Sequence, residues 1–442
     1  MVIRTIIVLS IAIPAIIAAQ ENPVDLDFER ALDIVLSGSG ALKSRADAVR
    51  IEEYRVGQAK SEYYPRVDLY SNYTRTSLAS NIEFANPISG TLSHISLFPR
   101  DRYNFGAVFG KDLYTFGRSR ARVSAARLGL ERSRIERSQY RYALYDKAAR
   151  VFASLLMARD NLKLQTANLK RSEDKLRIVE ARIDLGAAAD YDLILAKLLR
   201  SKYEDRRSQA REEFRRLKAG LKALLHWDRP YEFMPAGEIG DLAAALPESV
   251  VFQSDRILSM KTLRIGYGIS KEEQTINRSA YFPGIAFFAK YDWQNGYQPD
   301  IDEIRGDWSA GLSFNWRIMD GGLRKYRLSQ SRVEAEKLNN LITDLQAELN
   351  SGLESATAGL ESATQQLALA GERLRLADNG LKIAESRYLQ GLLGISDLLD
   401  LELDRADAEL AVTSAQYRLL MAKLDLKAAV EYYPELESGG TQ

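Results

Sequence analysis

Between Leu353 and Tyr388 every seventh residue is large and apolar: Leu353, Leu360, Leu367, Leu374, Leu381 and Tyr388. The interleaved series is Ala356, Ala363, Ala370, Ala377 and Ala384. Large and small apolar residues at alternating 3-4 spacing form the seam of a left-handed coiled coil. Alanine at every second seam position lets two helix backbones come close, so this helix packs tightly along its length. The same heptad stands 205 positions earlier, at Leu155, Leu162, Leu169, Leu176 and Ile183. A pattern repeated in register predicts two related halves.

Proline marks where the helices cannot be. None occurs between Pro99 and Pro230, or between Pro299 and Pro434, roughly 130 residues each, and helix interiors are what exclude it. Within each stretch the heptads run to a break, 184–190 and 390–397. Gly186 and Gly391 suit the left-handed position after a helix, and Asp190 and Ser396 are candidate N-caps. The reading is a long helix over 118–185 returning as 190–225, and a second over 323–390 returning as 396–433. Each long arm would reach about 100 Å at 1.5 Å per residue. That is a projecting hairpin, not part of a compact globule.

Ahead of each long helix the period changes to two. Trp308, Ala310, Leu312, Phe314, Trp316 and Ile318 alternate with Ser309, Gly311, Ser313, Asn315 and Arg317. Tyr103, Phe105, Ala107 and Phe109 alternate with Asn104, Gly106, Val108 and Gly110. Further strands follow Pro65 (Val67, Leu69, Tyr73) and Pro283 (Ile285 to Trp293). Each half thus carries one strand hairpin, 64–114 and 282–318, with a polar connection of about 28 residues in the first. An apolar face opposite a polar or glycine face, with aromatics near the strand ends, fits a membrane barrel. Alternation alone leaves open an antiparallel sheet packed on a soluble core. Residues 27–62 and 247–279 read as helices before the strands, 226–246 as a non-helical belt, and the end from Pro434 as a polar tail.

Arg4 precedes an apolar run from Thr5 to Ala19, and Ala18-Ala19 is followed by Gln20-Glu21-Asn22-Pro23. This reads as a signal peptide over 1–19. A membrane anchor is the alternative, although the run is short of the ~20 residues a span needs. The first repeat then covers 20–246 and the second 247–442. No other apolar run is as long, so any membrane span in the mature chain is built from strands. Four strands cannot close a barrel, and lipid does not tolerate open edges. Several copies must share one.

The order helix, hairpin, long helix, turn, helix, repeated twice, resembles the TolC-like outer-membrane efflux and secretion channels. The residues that carry the resemblance are Tyr64-Pro65, Phe282-Pro283 and Asp320-Gly321-Gly322, with Arg182-Ile-Asp-Leu-Gly186 and Asp192, and Arg387-Tyr388-Leu-Gln-Gly391 with Asp397-Leu398-Leu399. The resemblance implies a mainly α chain with a membrane β-barrel part. Three copies would share a twelve-stranded outer-membrane barrel continued by a long periplasmic helical barrel. It also implies a passive exit duct, in tripartite efflux or type I secretion, that docks on a periplasmic adaptor and an inner-membrane pump. A soluble periplasmic coiled-coil adaptor or scaffold is the competing reading.

Charge is balanced, 61 basic against 60 acidic residues, so nothing points to nucleic acid. With no cysteine, thiolate chemistry has no residue to draw on, and His94 and His226 lie in different segments, which disfavours a histidine metal site or a Ser-His-Asp triad. Neither enzyme activity nor a cofactor is expected. Ten basic residues against three acidic lie between Tyr114 and Arg150, among them Arg118, Arg120, Arg122, Arg127, Arg132 and Arg134. They read as a solvated helix face or as a contact for anionic lipid head groups below the barrel.

Asp397, Asp400, Asp404 and Asp407 place four carboxylates on one stripe. By resemblance, Asp397 and Asp400 face the tunnel entrance. Asp192, beside Tyr191, is the first-half counterpart of Asp397. Tyr388 and Asp192 would join a basic residue of the turn in holding the tip closed, but Leu393 stands at that basic position. Gly186, Ala187, Gly391 and Leu392 form the adaptor-docking tips, and Phe105, Leu312, Phe314 and Trp316 face lipid.

Overall fold

A computed structural model describes residues 24–77, 80–85, 87–88, 90–228, 232–247 and 256–431. The expected signal peptide, the polar tail and Pro230 lie outside the described residues. Two compact units form. One takes 1–39, 143–250 and 354–429, the other 40–142, 251–353 and 430–442. Each unit therefore draws on both sequence repeats.

The second unit carries the strands β2 (Arg66–Arg75), β5 (Asp101–Tyr114), β7 (Gly284–Gln294) and β8 (Arg305–Asn315). They make one antiparallel sheet in the order β2-β5-β7-β8. Cross-strand partners share a face, and neighbours along a strand alternate. One face therefore collects the rows Ser71–Phe105–Trp293–Gly306, Leu69–Ala107–Tyr291–Trp308 and Val67–Phe109–Ala289–Ala310, then Lys111–Phe287–Leu312. The opposite face collects Asn72–Asn104–Gln294–Arg305, Tyr70–Gly106–Asp292–Asp307 and Asp68–Val108–Lys290–Ser309. Aromatic contacts knit the apolar face: Phe105 stacks on Trp293 with centroids 5.4 Å apart. Polar contacts knit the other, including the Lys290–Asp292 ion pair at 2.7 Å. Gly106 stands where a Cβ would fall within 2.9 Å of the Tyr70 hydroxyl and 2.8 Å of Asp292 Oδ1.

The connection expected to be plain polar loop holds a second hairpin, β3 (Ser80–Ala85) with β4 (Leu92–Phe98), paired as its own two-stranded sheet. The single helix read over 27–62 is two, α1 (Phe28–Gly38) and α2 (Gly40–Ser61). Glycines on both sides of Ser39 weaken helix there. The belt over 226–246 is not helix-free either. It pairs β6 (Phe233–Pro235) in parallel with β1 (Val24–Leu26), then forms the helix α5 (Ile239–Ala245), whose three alanines favour it. Arg159 donates to the Pro235 and Gly237 carbonyls, both at 2.8 Å. Buried Lys423 donates to the Ala243 carbonyl at the end of α5 at 2.9 Å.

The long helices are α3 (Arg118–Asp184) and α7 (Leu323–Leu389), 67 residues each, followed by α4 (Asp190–Leu224) and α8 (Ile395–Ala429), 35 residues each. No helix among the described residues is long and apolar enough to cross a membrane. In α6 (Leu258–Ser279) the first turn is capped by the Glu431 carboxylate, which accepts from the Ser259 N–H at 3.2 Å. At the start of α7, Asp320 accepts from the Gly322 and Arg324 N–H groups at 3.1 and 3.2 Å, while Gly321 and Gly322 take φ of 66° and 91°. The equivalent first-half position is Phe116, held at φ 51° with its ring stacked on Phe282 at 4.8 Å.

Candidate gate and docking surfaces at the helical tip

The turns between the long helices and their returns have one design. Gly186 has φ 69°, with Ala187 N–H donating to the Arg182 carbonyl at 2.7 Å and Gly186 N–H to Ile183 at 2.8 Å. Gly391 has φ 73°, with Leu392 N–H donating to Arg387 at 2.9 Å and Gly391 N–H to Tyr388 at 3.0 Å. Both are Schellman stops, in which a left-handed glycine satisfies the last carbonyls of the helix. Gly186, Ala187, Gly391 and Leu392 are all exposed. The caps differ from expectation by one residue. Ala189, not Asp190, is the N-cap of α4, and the Asp192 carboxylate accepts its N–H at 3.1 Å. Helix α8 starts at Ile395, so Ser396 is already helical. Carboxylates at Asp190, Asp192 and Asp397 then occupy first turns, where the helix dipole favours them.

Behind the turns lies a buried cluster that includes Val179, Leu199, Tyr203, Leu381, Ala384, Tyr388, Ile395 and Leu398. Leu393 packs against it. Tyr388 is therefore held from inside. Its hydroxyl is buried with no hydrogen-bond partner among the described residues, so no bond joins it to Asp192 within one chain. The basic residue that does meet Tyr388 comes from α3. The Arg182 guanidinium lies over the Tyr388 ring and donates to its carbonyl at 3.0 Å and to that of Ala187 at 3.3 Å. Burial pushes the Tyr388 hydroxyl above the ordinary tyrosine value, and Asp192 adds to this against Arg182 and Lys175.

The acidic stripe on α8 divides. Asp407 pairs with Arg206 of α4 at 2.8 Å, while Asp397, Asp400 and Asp404 are exposed. Arg405 turns away from them to Asp378 and Glu409, each at 2.7 Å. Tyr191 is exposed on the first turn of α4. A charged layer absent from the sequence reading lies one turn behind. Lys175 of α3 meets Glu402 of α8 at 2.5 Å and Glu385 of α7 at 2.9 Å, with the Glu402 side chain 4% exposed. A buried ion pair is weak evidence of stability, but removing one partner strands the other as an uncompensated charge.

Three of the four residues assigned to lipid lie on the apolar face of the sheet. Phe105, Leu312 and Phe314 are exposed there. Trp316 falls just past the end of β8, and its indole N–H donates to the Tyr281 carbonyl at 3.1 Å. The arginine-rich start of α3 is largely paired: Arg118 with Asp112, Arg122 with Glu62, Arg132 with Glu136 and Arg134 with Glu53. Arg120 and Arg127 are exposed. No group of three histidine, aspartate or glutamate residues suited to a metal occurs among the described residues, and the His94 side chain lies outside them.

A family model described as outer membrane efflux protein matches residues 31–225 and 270–430. Among solved structures, CusC superposes with a TM-score of 0.77 at 14% identity, covering 92% of each chain. The outer membrane protein VceC from Vibrio cholerae gives 0.73 at 16% identity, covering 91% of this chain and 95% of that one. The MtrE outer membrane channel of Neisseria gonorrhoeae, solved in its open state, gives 0.71 at 18% identity, covering 91% and 88%. Comparison with curated protein sequences finds no match. At these identities the superpositions establish the fold.

Proposed function

The chain belongs to the outer membrane efflux protein family, and from that premise we propose that three copies form one passive exit duct fed by a periplasmic adaptor and an inner-membrane pump. Membership makes the chain part of an outer-membrane efflux channel. The observation that carries the assembly is the sheet. Among the described residues its order leaves β2 and β8 as edge strands, and an unpaired edge in hydrocarbon costs several kcal/mol per group. About eight strands is the smallest closed barrel. Three four-stranded sheets joined β8 to β2 give twelve, with the apolar face towards lipid and the polar face lining the lumen.

The helices then continue the duct into the periplasm, and their turns are the end that meets the adaptor. The exposed glycine turns offer a close approach to partner helices. Asp397 and Asp400, exposed on α8, supply six carboxylates around the entrance. Energy comes from the pump, and the chain supplies the path. Tripartite efflux is the arrangement this reading favours over type I secretion, in keeping with the family description.

The test is electrical. Purified trimer in planar bilayers is expected to conduct with a preference for cations and to be blocked by trivalent cations from the tip side. Asp397→Ala with Asp400→Ala is expected to remove both preference and block. Recovery of the chain in soluble periplasmic extracts, with no conductance from purified material, would overturn the duct in favour of a soluble coiled-coil scaffold.

A further inference from the structure

We infer that the tip holds a binding cavity for small cationic aromatic molecules, between α3, α7 and α8. A cavity of about 150 Å³ is lined by Ile178, Val179, Tyr388, Leu389, Ile395 and Leu398, with Lys175 and Glu385 at its edge. Its volume equals that of an engineered apolar cavity of ~150 Å³ that takes up benzene, although this one is open to solvent on one side. One aromatic ring fills it. Ile178 and Leu389 remain exposed at its mouth, so a ligand has a way in.

Charge sets the class of ligand. Lys175 is already shared by Glu402 and Glu385. Arg182, over the Tyr388 ring, and the Asp192 carboxylate offset each other nearby. The surroundings therefore hold one surplus negative charge, and the carboxylate that borders the cavity is Glu385, whose side chain is 46% exposed. An ammonium on a short arm meets it without being stripped of water. An anionic aromatic of the same size would meet Glu385 as a like charge.

The binding itself does not depend on the chain being a duct. Its consequence does: an occupied cavity ties Tyr388 of α7 and Leu398 of α8 to Val179 of α3, the packing that must loosen for the tip to widen. A ligand here acts as a wedge that keeps the tip shut.

The probes are benzylamine and its anionic counterpart benzoate, titrated against the detergent-solubilised full-length trimer by ligand-observed NMR, with no transport readout involved. Saturable binding of benzylamine at least several-fold tighter than benzoate is expected. Glu385→Gln, a change at a half-exposed side chain, is expected to weaken benzylamine about three- to fivefold, as a partly solvated ion pair allows. Val179→Phe fills the space and is expected to abolish binding; if that variant fails to assemble, Glu385→Gln carries the test. Equal binding of the two probes, benzylamine binding unchanged by Glu385→Gln, or no saturable binding because a neighbouring copy covers the mouth would each overturn the inference.

Discussion

The Arg182 guanidinium sits 4.5 Å from the centre of the Tyr388 ring and bonds to that residue's own carbonyl at 3.0 Å. One side chain of α3 therefore grips both the ring and the backbone of the last turn of α7. A cation over an aromatic ring contributes about 0.5–2 kcal/mol, and a charge-assisted hydrogen bond about 1.5–3 kcal/mol. Arg182→Ala is expected to loosen the tip by about 2–4 kcal/mol while the trimer persists, seen as longer openings in planar bilayers. Arg182→Lys keeps the charge but loses the planar fork, so it falls between. Wild-type gating in the alanine variant would relocate the closure.

Leu312 and Ser313 are neighbours on β8 that the register sends to opposite faces. An arginine at the midplane of a lipid-facing strand costs about 2–4 kcal/mol, whereas lumen positions accept it. Leu312→Arg is expected to cut the yield of membrane-inserted trimer sharply, and Ser313→Arg to leave it near normal. Equal yields from the two would contradict the assignment of faces.

Much of this was legible because it is periodic. The heptads predicted α3 and α7, and period-two alternation predicted four strands whose register places Phe105, Leu312 and Phe314 on one face. What escaped has no period, or interrupts one. The β3–β4 hairpin was hidden by brevity, although Ile82, Phe84, Ile95 and Leu97 alternate. Arg182 was visible only as part of a motif shared with Arg387, and nothing in that motif says which aromatic it covers. Lys175 and Glu402 were overlooked because a seam is found by counting apolar positions; Glu402 stands seven residues after Ile395, where a hydrophobe is expected. The α4 cap moved because Asp192, three residues inside, bonds back to Ala189.

Burial, with Glu402 adding to it, pushes the Tyr203 hydroxyl up to about 12, against about 10 for an exposed tyrosine. The folded chain thus holds this proton more tightly than the unfolded one. Stability from this site is complete below pH ~10 and is lost as pH rises towards ~12, by about 1.4 kcal/mol per unit. Tyr203→Phe is expected to shrink that alkaline loss. It costs little at neutral pH, since the hydroxyl has no hydrogen-bond partner among the described residues. Thermal unfolding followed by circular dichroism across this range decides it; an identical alkaline decline in the variant would assign the effect to other groups.

Gly391 takes a left-handed φ of 73° with open space where a Cβ would point. A side chain there costs about 1–2 kcal/mol in backbone strain and stands in the path of any docking helix. Gly391→Trp is expected to abolish efflux in cells while leaving a membrane trimer that still conducts in bilayers. Gly391→Ala carries the strain without the bulk, so its efflux separates the two effects. Normal efflux with tryptophan would move the adaptor contact off this turn.

Leu369, Leu376 and Ile383 of α7 lie seven residues apart and are 63%, 57% and 57% exposed. They form a second apolar stripe, beside the Leu374–Leu381–Tyr388 seam that the chain fills for itself. On α4, Tyr191, Ile194 and Leu198 are left similarly bare. A helix apolar on two stripes needs two neighbours, and in a ring of copies the second belongs to another protomer. Covering each of these partly exposed side chains stabilises by about 1–2 kcal/mol, repeated in every copy. Leu376→Glu removes one contact and places a charge in the join, so the trimer on semi-native gels is expected to dissociate at a clearly lower temperature than the wild type. Leu376→Met conserves volume and is expected to cost under about 1.5 kcal/mol. If the glutamate variant melts with the wild type, this stripe faces solvent, and the helices of neighbouring copies meet along another face.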